Sequence, residues 1–257
     1  MPHAQRPNAS LYYETHGAGP AVTFAHGAGG NTLVWWQQVP FFARERRVIT
    51  FDHRCFGRSQ CAPSDFHGRE FAADLRAILD EAGVARTALV CQSMGGWTGL
   101  RTALESPERV SCLVLSGTPG GVFTPRVQEA FFRVGRTAAT EGIRARPALA
   151  PAFPEREPEL TWLYDQISAL NPGLPRTGLA TLAEARVEPA ELRGYAVPTL
   201  MISGEHDQLF PPDVLKEAAA MIPGCKLVSF PGAGQSPYFE DAPRFNRLVA
   251  EFIAAHP

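Results

Sequence analysis

The sequence predicts an α/β protein: a mostly parallel sheet covered by helices on both faces and interrupted once by a helical insert. Three observations lead there. From about residue 10 onward, short apolar runs alternate with stretches of helical period. The alternation stops after Pro119, and residues 120–195 contain eight prolines and no strand pattern. It resumes with VPTLMISG and continues to the end of the chain. Parallel neighbours need a crossover, usually a helix, so strict alternation implies parallel pairing. A core is therefore expected over 1–118 and 196–257, with a helical lid over 119–195.

Taken in order, LYYETH and AVTFAH are strand runs joined by GAGP, which reads as an opening hairpin. NTLVWWQQVPFFARE holds a helix, and RRVITFDHR is a third strand. In HGREFAADLRAILDEAG, Phe71, Leu75, Ile78 and Leu79 fall on one helical face, and Gly83 supplies the stop. TALVCQ is continuously apolar, as a strand buried on both faces should be. A helix follows through SMGGWTGLRTALES, then the strand VSCLVLSGT. Within the insert, VQEAFFRVGRTAATEG, ELTWLYDQISAL and GLATLAEAR have helical character. Beyond it come the strand VPTLMISG, the helix PDVLKEAAAMI, the strand KLVSF and a last helix, APRFNRLVAEFIAAH.

Composition excludes several classes. The chain has 257 residues, 45% hydrophobic and 19% charged, enough apolar surface for a sizeable core. A formal net charge of −2 without a basic run gives nucleic acid or an anionic membrane nothing to bind. No stretch of 18 apolar residues occurs, and the start lacks an apolar leader. Five cysteines without CxxC spacing argue against a disulfide framework or a zinc site. Free thiols and a cytoplasmic location are expected, with no metal or organic cofactor.

Three stations carry chemistry. CQSMGG lies between a strand and a helix, where a nucleophilic serine needs a strained turn with small neighbours. Ser93 is the candidate nucleophile, and Cys91, where a glycine is more usual, is small enough for the end of a buried strand. FAHGAGGN ends an early strand, and its glycines can turn backbone amides inward. The amides of Ala28 and Met94 are the candidate oxyanion donors. His26 is expected to brace that loop. In SGEHDQLFPP an acid can orient a base; Asp207 is preferred to Glu205, and His206 reads as a solvated loop histidine. Histidines 3, 16, 53, 67 and 256 are expected on the surface or in loops.

With Ser93, Asp207 and position 235 in that order, the chain resembles the α/β-hydrolase fold superfamily, in the lidded group of esterases, enol-lactonases, carbon–carbon bond hydrolases and cofactor-free haloperoxidases. FDHRCFGRS resembles that family's DxRGxGxS loop, with Cys55 in place of its first glycine. GAGQSPYFEDAPRFNRLVAEFI resembles its GxGHxPxxExPxxFN terminus. A serine nucleophile sets the chain apart from the dehalogenases and epoxide hydrolases of this fold, which place an aspartate there.

The resemblance puts Gln235 where the family has its histidine. An amide cannot act as the base that activates a serine. Three readings follow: a His-to-Gln replacement that holds substrate in an otherwise intact site, a ligand-binding or sensor protein on the hydrolase fold, or a lyase or cyclase step that needs no histidine. Hydrolysis of a carboxylic ester or lactone leads, with carbon–carbon bond hydrolysis of a diketone or dienoate as runner-up. The expected partner is a small, moderately bulky, apolar acyl substrate, lined by Trp35, Trp97, Phe123, Phe131 and Trp162.

Overall fold

In the computed structural model, residues 2–141, 146–171 and 178–257 are described. Among the described residues nine strands form one sheet: β1 (His3–Arg6), β2 (Ala9–His16), β3 (Ala21–Ala25), β4 (Arg47–Phe51), β5 (Gln60–Cys61), β6 (Thr87–Gln92), β7 (Val110–Ser116), β8 (Thr199–Gly204) and β9 (Lys226–Phe230). Their order is β1-β2-β4-β3-β6-β7-β8-β9, with β5 pairing β2 off this path. β1, β4 and β5 pair with β2 antiparallel, and every pairing from β4–β3 to β8–β9 is parallel.

The expected opening hairpin is corrected. β2 and β3 follow each other in sequence, but β4 lies between them. The GAGP turn carries the chain past that position, with Gly17 at φ +71° packed under the Ala43 and Arg46 carbonyls. The hairpin partner of β2 is β1, a short strand without an apolar signature.

The helices are α1 (Val39–Phe42), α2 (Phe71–Glu81), α3 (Gly95–Glu105), α4 (Pro125–Glu141), α5 (Phe153–Arg156), α6 (Pro158–Ala169), α7 (Pro212–Met221), α8 (Pro237–Glu240) and α9 (Ala242–Ala254). The sheet buries both faces. In β6, Leu89 and Cys91 face α2, α3 and α7, while Ala88 and Val90 face the cluster of α1 and α9. This period-two division of a wholly apolar strand is what parallel sheets require. Each fully buried Leu or Val contributes about 1.5–3 kcal/mol. Helix α2 places Phe71, Leu75, Ile78 and Leu79 in the core and ends before Gly83, at φ +63°.

Between β7 and β8 the chain leaves the sheet. Val127, Ala130, Phe131 and Ala138 of α4 join the α3–α7 cluster, whereas Phe153 of α5 and Tyr164 and Ile167 of α6 join the opposite one.

The expectation of free thiols is corrected at two of the five cysteines. Cys55 and Cys61 form a disulfide, with Cα atoms 5.1 Å apart, well within bridging range. The turn after β4, with Cys55 at φ +62°, brings them together. Cys91, Cys112 and Cys225 are free. No helix among the described residues is long and apolar enough to cross a membrane.

Candidate active site

Ser93 occupies the turn between β6 and α3 at φ +48°. A non-glycine residue in this region costs about 1–3 kcal/mol and persists only where its surroundings hold it. Here the Ser93 N–H donates to the Ser116 carbonyl at 3.0 Å, and the Gly96 N–H donates to the Ser93 carbonyl at 2.8 Å. Close packing keeps the turn tight. A Cβ on Gly95 would lie 2.8 Å from the Ala25 carbonyl carbon. Cys91 is accommodated because Gly99 on α3 leaves room for its sulfur, which a Cβ there would strike.

The loop from His26 to Asn31 lies beside this turn. A Cβ on Gly27 would come within 2.8 Å of the Ser93 Cβ. His26 is fully buried and its Nε2 accepts the His53 N–H at 3.0 Å, so the proton sits on Nδ1, which donates to the Gly27 carbonyl at 2.8 Å. Burial pushes the His26 pKa down to about 4 and that of His53 well below its ordinary value, so both rings are neutral at pH 7. His53, expected on the surface or in a loop, lies in the loop after β4 but is buried. It is 2% exposed, and its ring lies against His26 at one nitrogen and Thr98 Oγ1 at the other. Among the described residues, neither the Ala28 N–H nor the Met94 N–H donates to another backbone group.

Across the cavity, Asp207 follows β8 and Gln235 follows β9. The two loops are laced together by the Glu205 N–H to the Phe230 carbonyl (3.0 Å) and the His206 N–H to the Ala233 carbonyl (2.8 Å). Asp207 is 3% exposed and its Oδ1 accepts the Leu209 and Phe210 amides at 2.8 and 2.9 Å. Burial pushes its pKa up to about 8; the two amides act against this, and the Glu240 charge adds to it. Asp207 Oδ2 and Gln235 Nε2 are both buried without a hydrogen-bond partner among the described residues. The Glu205 carboxylate instead accepts the Gly232 N–H at 2.9 Å, and the His206 side chain is 52% exposed.

One cavity joins Gln235 to the serine turn and the Ala28 loop. Ala28, Ser93, Met94 and Gln235 line it together with Trp97, Phe131, Val134, Leu179, Leu182 and Phe210. Its volume is about 100 Å³. Three of the five expected lining aromatics lie elsewhere. Trp35 is fully buried on the other face of the sheet, against Phe24 and Tyr238. Trp162 is 64% exposed. Phe123 packs behind Phe131 and does not line the cavity. A Trp or Phe in a helical run marks an apolar face without saying which neighbour covers it. Among the described residues no group of three or more His, Cys, Asp or Glu gathers as a metal site would.

Several residues around the cavity escaped the sequence reading. Glu240 accepts the Gly234 N–H and the Ala150 N–H, each at 2.9 Å, tying the Gln235 loop to the segment between β7 and β8. Tyr164 Oη lies 2.8 Å from Ser236 Oγ. Asn171 reaches the Gly29 carbonyl from the same segment. The glutamate stands in the quoted terminal motif; the tyrosine and asparagine carry no local signal.

A mostly parallel sheet with a strained serine at a strand-to-helix turn above it defines the α/β-hydrolase architecture. The profile of the alpha/beta hydrolase fold family matches residues 20–242, and the chain belongs to that family. It is 30% identical over 244 residues, 88% of each chain, to a protein of Azorhizobium caulinodans named putative carbamate hydrolase RutD. It is 28% identical over 207 residues to 3-oxoadipate enol-lactonase 2 of Acinetobacter baylyi, covering 78% of this chain and 77% of that one. The crystal structure of an enol-lactonase from Burkholderia xenovorans superposes with a TM-score of 0.82 at 26% identity, over 98% of this chain and 100% of the other.

Proposed function

We propose that this protein is a serine hydrolase of carboxylic esters or lactones in a base-deficient form, which binds substrate and hardly turns it over. The observation carrying this reading is the shared cavity of Ser93, Gln235, Ala28 and Met94, with Asp207 Oδ2 and Gln235 Nε2 buried and unpartnered behind it. Ser93 Oγ attacks the acyl carbon, and the developing oxyanion is held by the Ala28 and Met94 amides. An imidazole at position 235 would take the serine proton and use Asp207 as its orienting acid. Gln235 offers no titratable nitrogen, so the proton has no acceptor and the cycle stalls. The segment 119–195 acts as a lid that closes the apolar side of the pocket over a neutral acyl chain. Relatives named for carbamate and enol-lactone hydrolysis support acyl transfer over carbon–carbon cleavage.

The test follows the fate of bound ester. Incubated with aliphatic and aromatic esters and lactones, the protein should retain one class intact for hours, detected by native mass spectrometry. Ser93→Ala should bind the same class equally well. Rapid release of acid and alcohol would overturn base deficiency, and retention of none would overturn the hydrolase reading.

A further inference from the structure

Every peptide bond described is trans, so each backbone N–H points opposite to the carbonyl that shares its peptide plane. Followed from plane to plane, this geometry links hydrogen bonds that lie far apart in sequence. The Ser59 N–H donates to the Phe56 carbonyl at 2.9 Å. The other end of that peptide, the Gly57 N–H, donates to Asn171 Oδ1 at 3.0 Å. The other end of the Asn171 amide, Nδ2, donates to the Gly29 carbonyl at 2.9 Å. The far end of that peptide, the Gly30 N–H, donates to the Gly27 carbonyl at 3.0 Å. The last plane, Gly27–Ala28, ends in the Ala28 N–H, which has no backbone acceptor among the described residues, on a residue that lines the cavity.

We infer that Asn171 is a positioning residue: its side-chain amide is the middle link of a head-to-tail amide relay that ends on the oxyanion donor Ala28. The inference rests on the hydrolase reading for what the donor does, and on geometry for the relay itself. Its orientation is fixed by partners that have only one role each. The Gly57 N–H can only donate and the Gly29 carbonyl can only accept, so the Asn171 oxygen and nitrogen cannot be exchanged. Asn31 Nδ2 also donates to Asn171 Oδ1 at 3.4 Å, and Asn171 Nδ2 also donates to the Ser168 carbonyl at 3.2 Å, which hold the amide in its plane. Aligned amides polarise one another, each bond strengthening the next by ~10–30%. Gly27 O receives a second proton from His26 Nδ1, so the last plane is polarised from the core and from the segment between β7 and β8 together. A chain segment outside the sheet thereby tunes the donor at the reacting carbonyl.

The test compares Asn171→Asp with Asn171→Ala. Aspartate keeps the shape and the acceptor for Gly57 but turns a second oxygen onto the Gly29 carbonyl, breaking the relay at its centre. Alanine leaves space for a water, which can bridge the gap. The relay therefore ranks aspartate as more damaging than alanine, the reverse of the order expected from lost packing. In the chain as it stands, the Ala28 amide proton should move upfield in Asn171→Asp, and less in Asn171→Ala, in 15N-resolved spectra. In a Gln235→His background, kcat should fall about tenfold in Asn171→Asp with KM within about twofold, less than the ~10²–10³ for loss of an entire donor. Equal loss through KM, an unmoved Ala28 amide, or alanine as the worse variant with folding intact would overturn the relay. A silent Gln235→His parent would remove the hydrolase reading and leave the amide shift to judge the relay. An active parent with unchanged kcat in Asn171→Asp would remove the relay alone.

Discussion

The two walls of the cavity contrast sharply. On the Ala28 side, His26, held by the His53 N–H, donates to the Gly27 carbonyl, and the Ala28 N–H has no backbone acceptor among the described residues. On the Gln235 side, a carboxylate oxygen and an amide nitrogen are both buried and both orphaned. Buried polar groups are hydrogen-bonded in the great majority of cases, so these two atoms, like Trp97 Nε1 on the same cavity, stand out, and the proposed function reads the pair as the place of a titrating side chain. On the proposed reading the first wall needs only neutral amides, which the loop supplies, and the second needs a titrating ring, which Gln235 does not supply.

The contrast is broken most forcefully by Gln235→His. Imidazole can take the Ser93 proton and donate to Asp207 Oδ2, so ester turnover should rise by several orders of magnitude, up to about 10⁶. The gain should vanish in Ser93→Ala and fade at acidic pH as the new ring protonates. A Gln235→His protein silent toward every ester that the parent retains would refute the two-wall account.

A smaller effect appears in stability. Asp207, raised to about 8 in the folded state from an ordinary 3.8, holds its proton through a window in which the unfolded chain has lost it. Stability should therefore fall as pH rises from about 4 to about 8, by on the order of a few kcal/mol. Chemical denaturation across that range should show the slope. It should flatten in Asp207→Asn, which cannot ionise, and in Gln235→His, where a partnered carboxylate is no longer penalised. A slope unchanged by Asp207→Asn would assign the pH dependence to another group.

The smallest effect sharpens the boundary of the walls. Trp162 is largely exposed on α6 and belongs to neither, so Trp162→Ser should alter stability by no more than about 0.5 kcal/mol and leave ester retention unchanged. Weakened retention in that variant would extend the pocket onto the outer face of α6.

What the sequence disclosed and what it withheld divide along physical lines. Strand and helix runs were legible because period and capping are local, as in TALVCQ and the α2 face. Ser93, Gln235 and Ala28 were legible because each stands at a strand end, where a parallel sheet gathers its loops. The pairing of β2 was not, because β4 enters between β2 and β3 from more than twenty residues away. His53 lies in a loop as expected, but its burial was not legible because its partners, His26 and Thr98, sit in different elements. The Cys55–Cys61 bridge depends on a left-handed turn that spacing alone does not specify. Trp35 and Trp162 were placed by helix facing, which their runs leave ambiguous.

The strand order has a consequence for how such a protein can change. β7 and β8 are hydrogen-bonded neighbours, yet the entire segment carrying α4, α5 and α6 lies between them in sequence. The cost of closing a loop grows only as the logarithm of its length, about 0.6 kcal/mol per doubling. The sheet is therefore nearly indifferent to how much chain is spliced there, and that junction tolerates exchange or elongation better than any strand. On the relay proposed above, a replacement segment must still return a side-chain amide to Gly29, and the Ala150 amide and Tyr164 add attachments at Glu240 and Ser236. Variation at the junction can reshape the apolar lining while such attachments hold the segment to the loops of the sheet.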